Sequence, residues 1–451
     1  MGAGRGCRLC SLGWIAGVLV KVVHLSHTDG GAGAGRAAYR IHAALRELGV
    51  DSRMLVSQKR TADPSVQTMS GSGLGHWRVR VAEYLEARAG RALVRDASIF
   101  LSPARYGYFR PACAAAVREA DVVATYWING AYVAPESLAA INKPLVWRLS
   151  DVWPFTGGCH YPGTCERFER QCGDCPQLCQ PGPEDATHRL WLRKQHTWRA
   201  LDLTVVAPSN WMAGLARRSS LFADRRVEVI PTGVDLERYR PGDRSAARAR
   251  WGLPQDRLLI LFGAMGPTDD VRKGYRELRS ALEVVAQSPL ASRIQAVVFG
   301  SDSPLRSDLL PIPAVSLGRL QGDEALAAAY NCADLVVVPS LEDNLPNVAL
   351  EAIACGAPVA AFNVCGMPDI VIDGWNGRLV PRVDPEGLGR VLVEMLSDRE
   401  RLLTMRLNAR QRAQQSFSLE DQAKAYLALY EQAIERRPIQ GSRWSISRGL
   451  N

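Results

Sequence analysis

The sequence predicts an α/β protein with two parallel-sheet domains, and three observations carry that prediction. Short apolar runs, such as LLILF at 258–262 and LVVV at 335–338, read as strands buried on both faces. These runs alternate with segments of helical period through both halves of the chain, as in strand–helix–strand units. One stretch, DLVVVPSLEDNLPNVALEAIACGAPVAA at 334–361, spells the whole unit: strand, polar loop, helix, strand. There Asn344 can cap a helix, and Pro346 can start one because its missing N–H would be unpaired anyway. Gly356 can take the left-handed position after Cys355, and Pro358 blocks continuation. A helix N-terminus fed by a strand at a sheet's carboxyl edge is a natural anion site.

In chain order, residues 1–20 read as a disordered or mis-assigned extension: 11–20 is a weak apolar run behind Arg5 and Arg8 with no cleavage site. Residues 21–26 form the first core strand. A glycine-rich turn follows, TDGGAGAG at 28–35, then a helix over 36–48 whose apolar positions 37, 38, 41, 45 and 48 share one face. Gly30, Gly31 and Gly33 would let a phosphate or sugar approach the backbone; the alternative is a tight turn needed only for packing. Arg36 breaks the full dinucleotide-binding glycine pattern, and no acidic residue follows at the required distance. Strands are expected at 52–57, 121–125 and 143–149, with edge helices within 60–110. The strand at 143–149 ends at Ser150 and Asp151, which places Asp151 at the sheet's carboxyl edge.

Next comes a cysteine-rich block, Cys159, Cys165, Cys172, Cys175 and Cys179, spaced C-x5-C-x6-C-x2-C-x3-C. Thiols at this density, with one C-x-x-C, can surround a structural zinc through Cys159, Cys165, Cys172 and Cys175; the alternative is a thiol-rich loop with no metal. Eleven cysteines and no secretion signal point to a reducing cytoplasm rather than a disulfide framework. A basic helix at 187–200 and strands at 203–207 and 227–230 complete the first half.

The expected domains are 21–225, with the Cys-rich insertion at 157–180, and 253–425, joined by a Pro-, Gly- and charge-rich linker at 226–252. The second half runs strand 257–262, loop 263–274, helix from Tyr275, strands 295–300 and 314–317, helix 323–331, then the opening stretch. A helical pattern at 419–435 is long enough to cross back to the first domain, so 426–451 is expected to be that crossing helix and a tail. The 451 residues are 47% apolar and 22% charged, with a net charge of +9 that favours anionic partners. No apolar run reaches 18 residues, so no transmembrane helix is expected. Nucleic-acid binding is not expected either, because no recognisable basic and aromatic module is present.

Taken together, DGGAGAGR at 29–36, SDVWPFTGGCHYPGTCERFERQCGDCPQL at 150–178, VIPTGVDLERYRP at 229–241, RKG at 272–274 and PSLEDNLPNVALEA at 339–352 resemble a retaining glycosyltransferase of family 4 with the GT-B fold. The resemblance covers roughly 21–435 and is greatest to the bacterial branch that builds exopolysaccharide and other surface glycans. It implies two Rossmann-like domains facing across a cleft, with the nucleotide-sugar donor on the second and the acceptor on the first. It also implies roles for the acidic pair Asp343 and Glu351: the first contacts donor-sugar hydroxyls, the second holds the ribose. The family commonly has Glu where this chain has Asp343, a side chain one methylene shorter; Glu342 is adjacent but wrongly spaced. Lys273 matches the lysine that neutralises the leaving diphosphate. Ala264 stands near the expected arginine, so Arg272 could supply that charge. Amides at Asn344 and Leu345, with Gly300, complete the donor side, and Asp343, Glu351 and Lys273 are the catalytic candidates. Ser150-Asp151 stands where the family often has His-Asp, which leaves Asp151, His160 and the glycine turn as acceptor-side candidates.

The resemblance therefore implies a hexosyltransferase that moves a sugar, with retention, from a nucleoside-diphosphate sugar to a lipid-linked glycan in polysaccharide biosynthesis. It would need no cofactor for catalysis and would work in the cytoplasm, with peripheral contact at the inner face of an anionic membrane. The rivals are a nucleotide-sugar epimerase on the same fold and a non-catalytic partner subunit.

Overall fold

The computed structural model describes residues 14–15, 18–31, 33–69, 74–263, 270–300 and 310–436. Ala264, most of the 1–20 extension and the tail after 436 lie outside them.

The first domain is a seven-stranded, wholly parallel sheet. Its strands are β1 (Lys21–Thr28), β2 (Asp51–Gln58), β3 (Val66–Thr68), β4 (Val122–Thr125), β5 (Leu145–Arg148), β6 (Leu203–Ala207) and β7 (Arg226–Val229). They lie in the order β3-β2-β1-β4-β5-β6-β7. The helices include α1 (Gly33–Glu47), α2 (Leu74–Arg91), α3 (Ala186–Arg199) and α4 (Asn210–Arg218). Parallel pairing requires crossovers that cover both faces, and the residues of β4, β5 and β6 are all buried. The helix expected to start at 36 begins inside the glycine run. This is possible because Gly35 packs on Thr28, where a Cβ would stand 2.7 Å from its methyl group.

The second domain is a six-stranded parallel sheet. Its strands are β8 (Leu258–Gly263), β9 (Ile294–Phe299), β10 (Ala314–Ser316), β11 (Leu335–Val338), β12 (Val359–Phe362) and β13 (Gly377–Val380), in the order β10-β9-β8-β11-β12-β13. Around it lie α5 (Tyr275–Ala286), α6 (Asp323–Cys332), α7 (Asn347–Ala354), α8 (Pro385–Ser397) and α9 (Arg399–Ser416). Gly356 takes φ +71° after α7, the left-handed end its sequence predicts.

Two domain boundaries move. β7 hydrogen-bonds to β6, so the first domain continues through Val229 and the linker starts after it. The linker then commits to the second domain: Arg248 donates to Asp334 Oδ2 at 2.8 Å, and the same oxygen accepts from Leu259 N at 2.7 Å.

The last helix, α10 (Leu419–Glu435), does cross back. Ala423, Tyr426, Leu427 and Tyr430 join Val22, Ala38, Ile41 and Val122 in one buried cluster of the first domain. Burying one such leucine is worth about 2 kcal/mol, so α10 is an integral part of that domain. The outgoing and returning segments pair with each other: Val234 N donates to Phe417 O at 2.8 Å, and Leu419 N to Val234 O at 3.1 Å.

Candidate active site

The second domain builds its half of the cleft at the carboxyl ends of β8 and β11. The turn 270–274 is drawn against the end of β11, where Leu341 N donates to Arg272 O at 2.8 Å. Gly274 makes the approach possible: its φ is +70°, and any Cβ there would collide with the carbonyl oxygen of Pro339. The turn delivers Lys273 Nζ to Asp343 Oδ2 at 2.6 Å, a direct ion pair between two predicted site residues.

Arg272 is paired with Asp270 at 2.7 Å, and its guanidinium lies 3.7 Å from the ring centre of Tyr161 in the first domain. Burial works against its charge, but Tyr161 and Asp270 outweigh this and raise its pKa.

The sequence predicts Asn344 as a helix cap. The helix is capped instead at Pro346 without a side-chain bond. The Asn344 side chain spans the cleft: its Oδ1 accepts from Ser209 Oγ at 2.8 Å, and its Nδ2 donates to Leu149 O at 3.3 Å. Leu345 turns into the core of the second domain. Gly300, at φ +108°, ends β9 and donates to Gly318 O at 2.8 Å. Glu342 accepts from Gly163 N at 3.3 Å; burial raises its pKa and that amide opposes the rise.

Glu351, one turn into α7, is 1% exposed and fully partnered. Its Oε2 accepts from Tyr330 Oη at 3.0 Å. Its Oε1 accepts from Nη2 of both Arg36 and Arg40, each at 3.0 Å. Asp323 extends the cluster, accepting from Tyr239 Oη at 2.8 Å and Arg36 Nη2 at 3.3 Å. Burial would raise the Asp323 pKa, but the Tyr239 hydrogen bond and the two arginines outweigh it and hold the carboxyl below its usual range. Arg40 is almost fully buried and keeps Nη1 without a partner.

These arginines come from α1 of the first domain. The Asp29 carboxylate anchors the turn that precedes them, accepting from Arg60 N at 2.6 Å and Thr61 N at 3.0 Å. Gly31 has φ +75°, and a Cβ on Gly33 would lie 3.4 Å from Asn347 Nδ2. The N-termini of α1 and α7 thus meet across the cleft, two positive helix ends beside Lys273, Arg36 and Arg40. Sequence reasoning missed Arg36, Arg40, Asp323, Tyr239 and Tyr330 as site residues. The available signal was two arginines four apart on one helical face directly after the glycine run.

On the acceptor side, Asp151 and His160 come together, with Oδ2 to Nδ1 at 2.6 Å. His160 is fully buried: Nε2 lies 2.8 Å from Ser102 Oγ, and Phe100 stacks on the ring at 4.1 Å. With both nitrogens engaged, His160 orients Asp151 and is itself closed off from the cleft.

Cys159, Cys165, Cys172 and Cys175 line one cavity, as free thiols. Among the described residues, no group of three or more His, Cys, Asp or Glu side chains is placed to hold a metal ion. Cys172 packs in the main core of the first domain, and Cys175 beside Leu101 and Leu178. Burial pushes the Cys172 thiol up to about 12.

Residues 31–238 match the family described as Glycosyltransferase Family 4, and residues 256–398 match Glycosyl transferases group 1. A D-inositol 3-phosphate glycosyltransferase of Rhodococcus opacus is 37% identical over 222 residues, 46% of this chain and 48% of that protein. The chain thus spans about half the length of the curated relatives it matches. In fold, a sucrose-phosphate synthase from Thermosynechococcus elongatus superposes with a TM-score of 0.62 at 21% identity, over 93% of this chain and 100% of that one. HepE of Anabaena, solved with UDP and glucose, gives 0.59 at 17% identity over 91% and 99%. No helix among the described residues is long and apolar enough to cross a membrane. In sequence the chain thus resembles a Glycosyltransferase Family 4 segment followed by a Glycosyl transferases group 1 segment, and in fold it is similar to these two-domain solved structures.

Proposed function

We propose that the chain is a hexosyltransferase that takes a sugar from a nucleoside diphosphate, with retention, and transfers it to a hydroxyl of a glycan acceptor on a lipid carrier. The observation that carries this reading is the meeting of the α1 and α7 N-termini, with Arg36 and Arg40 on the buried Glu351 and Lys273 on Asp343. In the reaction the bond from the anomeric carbon to the phosphate oxygen breaks, and a bond to the acceptor oxygen forms as its proton leaves. Negative charge then grows on the diphosphate, where fixed cations and helix amides stabilise it. Glu351 would accept from the ribose hydroxyls in exchange for an arginine, and Asp343 from the sugar. HepE, solved with UDP-glucose, supports the donor class. Polysaccharide biosynthesis at the inner face of the membrane is the setting that suits a lipid-linked acceptor and a net charge of +9.

The curated relatives' name favours a second reading of the acceptor, a soluble inositol phosphate. The test is donor turnover with a nucleotide-sugar panel, with a membrane extract or inositol 3-phosphate supplied as acceptor. Activity should fall in Lys273→Ala and Glu351→Ala. Unchanged turnover in both variants would sink the reading. Conversion of the sugar without an acceptor would indicate an epimerase, and no nucleotide binding a non-catalytic subunit. The anomeric configuration of the product, read by NMR, decides retention.

A further inference from the structure

Helix α2 presents a surface that the cleft chemistry does not use. Trp77 is 71% exposed, Tyr84 64% and Val81 37%. With Arg80, Arg88 and Arg91 they form one stripe at spacings of three, four, seven, eleven and fourteen from Trp77, on a single face of the helix. Arg78 and Arg95 flank it, both exposed.

The helix's two acids, Glu83 and Glu86, turn the other way. Glu83 accepts from Ser57 Oγ at 3.1 Å and Gln58 Nε2 at 3.2 Å. Glu86 is 4% exposed and accepts from the amides of Ala104 at 2.7 Å, Arg105 at 3.0 Å and Tyr106 at 3.2 Å. The outer face therefore carries aromatic and aliphatic groups among arginines, and among the described residues no carboxylate opposes them beyond a 3.9 Å contact from Arg80 to Glu83.

Large rings with polar edges, flanked by arginines whose stems are apolar, suit the boundary between lipid headgroups and acyl chains. The face belongs to a single helix, and its charge matches an anionic bilayer. We infer that α2 docks the first domain on an anionic membrane surface, with Trp77, Val81 and Tyr84 entering the interface and Arg80, Arg88 and Arg91 on the headgroups.

The position gives the docking a purpose, which rests on the lipid-linked acceptor proposed above. Glu86 ties the inner face of α2 to segment 104–106. Just before that segment, Phe100 caps His160, the partner of Asp151. A bilayer against α2 would thus lie beside the acceptor side of the cleft.

The experiment is co-sedimentation of the full chain with vesicles of phosphatidylcholine alone or with phosphatidylglycerol added. Wild type should bind the anionic vesicles at least tenfold more tightly, and added salt should weaken that binding. Two variants, Trp77→Ser/Tyr84→Ser and Arg80→Glu/Arg88→Glu/Arg91→Glu, should each lose it by tenfold or more. Thermal stabilisation by UDP is read in parallel and should persist in both variants, which shows that they are folded. Failure of wild type to bind anionic vesicles, or equal binding by the variants, overturns the inference. So does sedimentation showing that the stripe instead joins two copies of the chain. Loss of the UDP effect in wild type would count against the transferase reading and leave the vesicle result to be judged on its own.

Discussion

Arg40 of the first domain donates to Oε1 of Glu351 in the second at 3.0 Å, closing the cleft with a nearly dry ion pair. Removing one partner of such a pair leaves the other buried and short of a counter-charge. Arg36 remains as a second donor, so Arg40→Ala should cost about 2–4 kcal/mol in urea unfolding. Arg36→Ala, at a more exposed side chain, should cost less. An Arg40→Ala midpoint equal to wild type would show that the pair contributes nothing to holding the domains together.

Lys273 should matter to rate more than to affinity. Its partner is Asp343, and the charge it meets on the donor grows as the diphosphate leaves. Lys273→Ala should lower kcat by about 100-fold or more, the scale seen when one preorganised charge-stabilising group is lost. KM should move far less. Steady-state kinetics separate the two, and a pure KM effect would assign Lys273 to ground-state binding.

Gly274→Ala should be among the most damaging single-methyl changes in the chain. The left-handed backbone disfavours any side chain, and the new methyl meets the Pro339 carbonyl. A loss of about 3 kcal/mol or more is expected, seen as a lowered melting temperature or failed expression. A normal melting curve would mean that the 270–274 turn can move away from β11 at little cost.

Acid should weaken the first domain through His42. Burial, with a smaller contribution from Arg46, lowers its pKa to about 4, and Ser52 and Ser65 hold it neutral at 2.7 and 2.9 Å. The folded pKa lies below the unfolded value, so the unfolded chain takes up the proton first. Stability is full above about pH 6.5 and is lost as pH falls toward 4, by about 3 kcal/mol from this group. Urea midpoints between pH 7 and 4.5 should show the fall, and His42→Gln should flatten it.

The thiols should react with a reagent at unequal rates. Exposed Cys179 of the cysteine block, and Cys113 outside it, should react quickly at pH 8, and buried Cys172 and Cys175 only on unfolding. Four protected thiols released together by a chelator would instead reveal a metal.

The α7 region is legible from sequence because local chemistry settles it. The apolar run, Pro346 and Gly356 mark its boundaries, and no distant residue is needed. Val66–Thr68 escapes notice because it is a three-residue edge strand whose last two residues are exposed. Gly377–Val380 reads as GRLV, too polar and short to stand out. The partners of Glu351 are hidden for another reason. Arg40 lies 311 residues away, and their meeting depends on how two domains close, which no local pattern encodes. Arg36 shows in the sequence only as a break in a glycine motif, and Asn344 only as a possible cap. Both prove to be groups that reach across.

The chain passes between the domains twice, at Val234 and again at Phe417–Leu419, and the two passages are hydrogen-bonded to each other. A single tether would allow the second domain to swivel; a paired one permits bending about one axis and resists twist. A single proteolytic nick in either passage would leave the halves joined by the other.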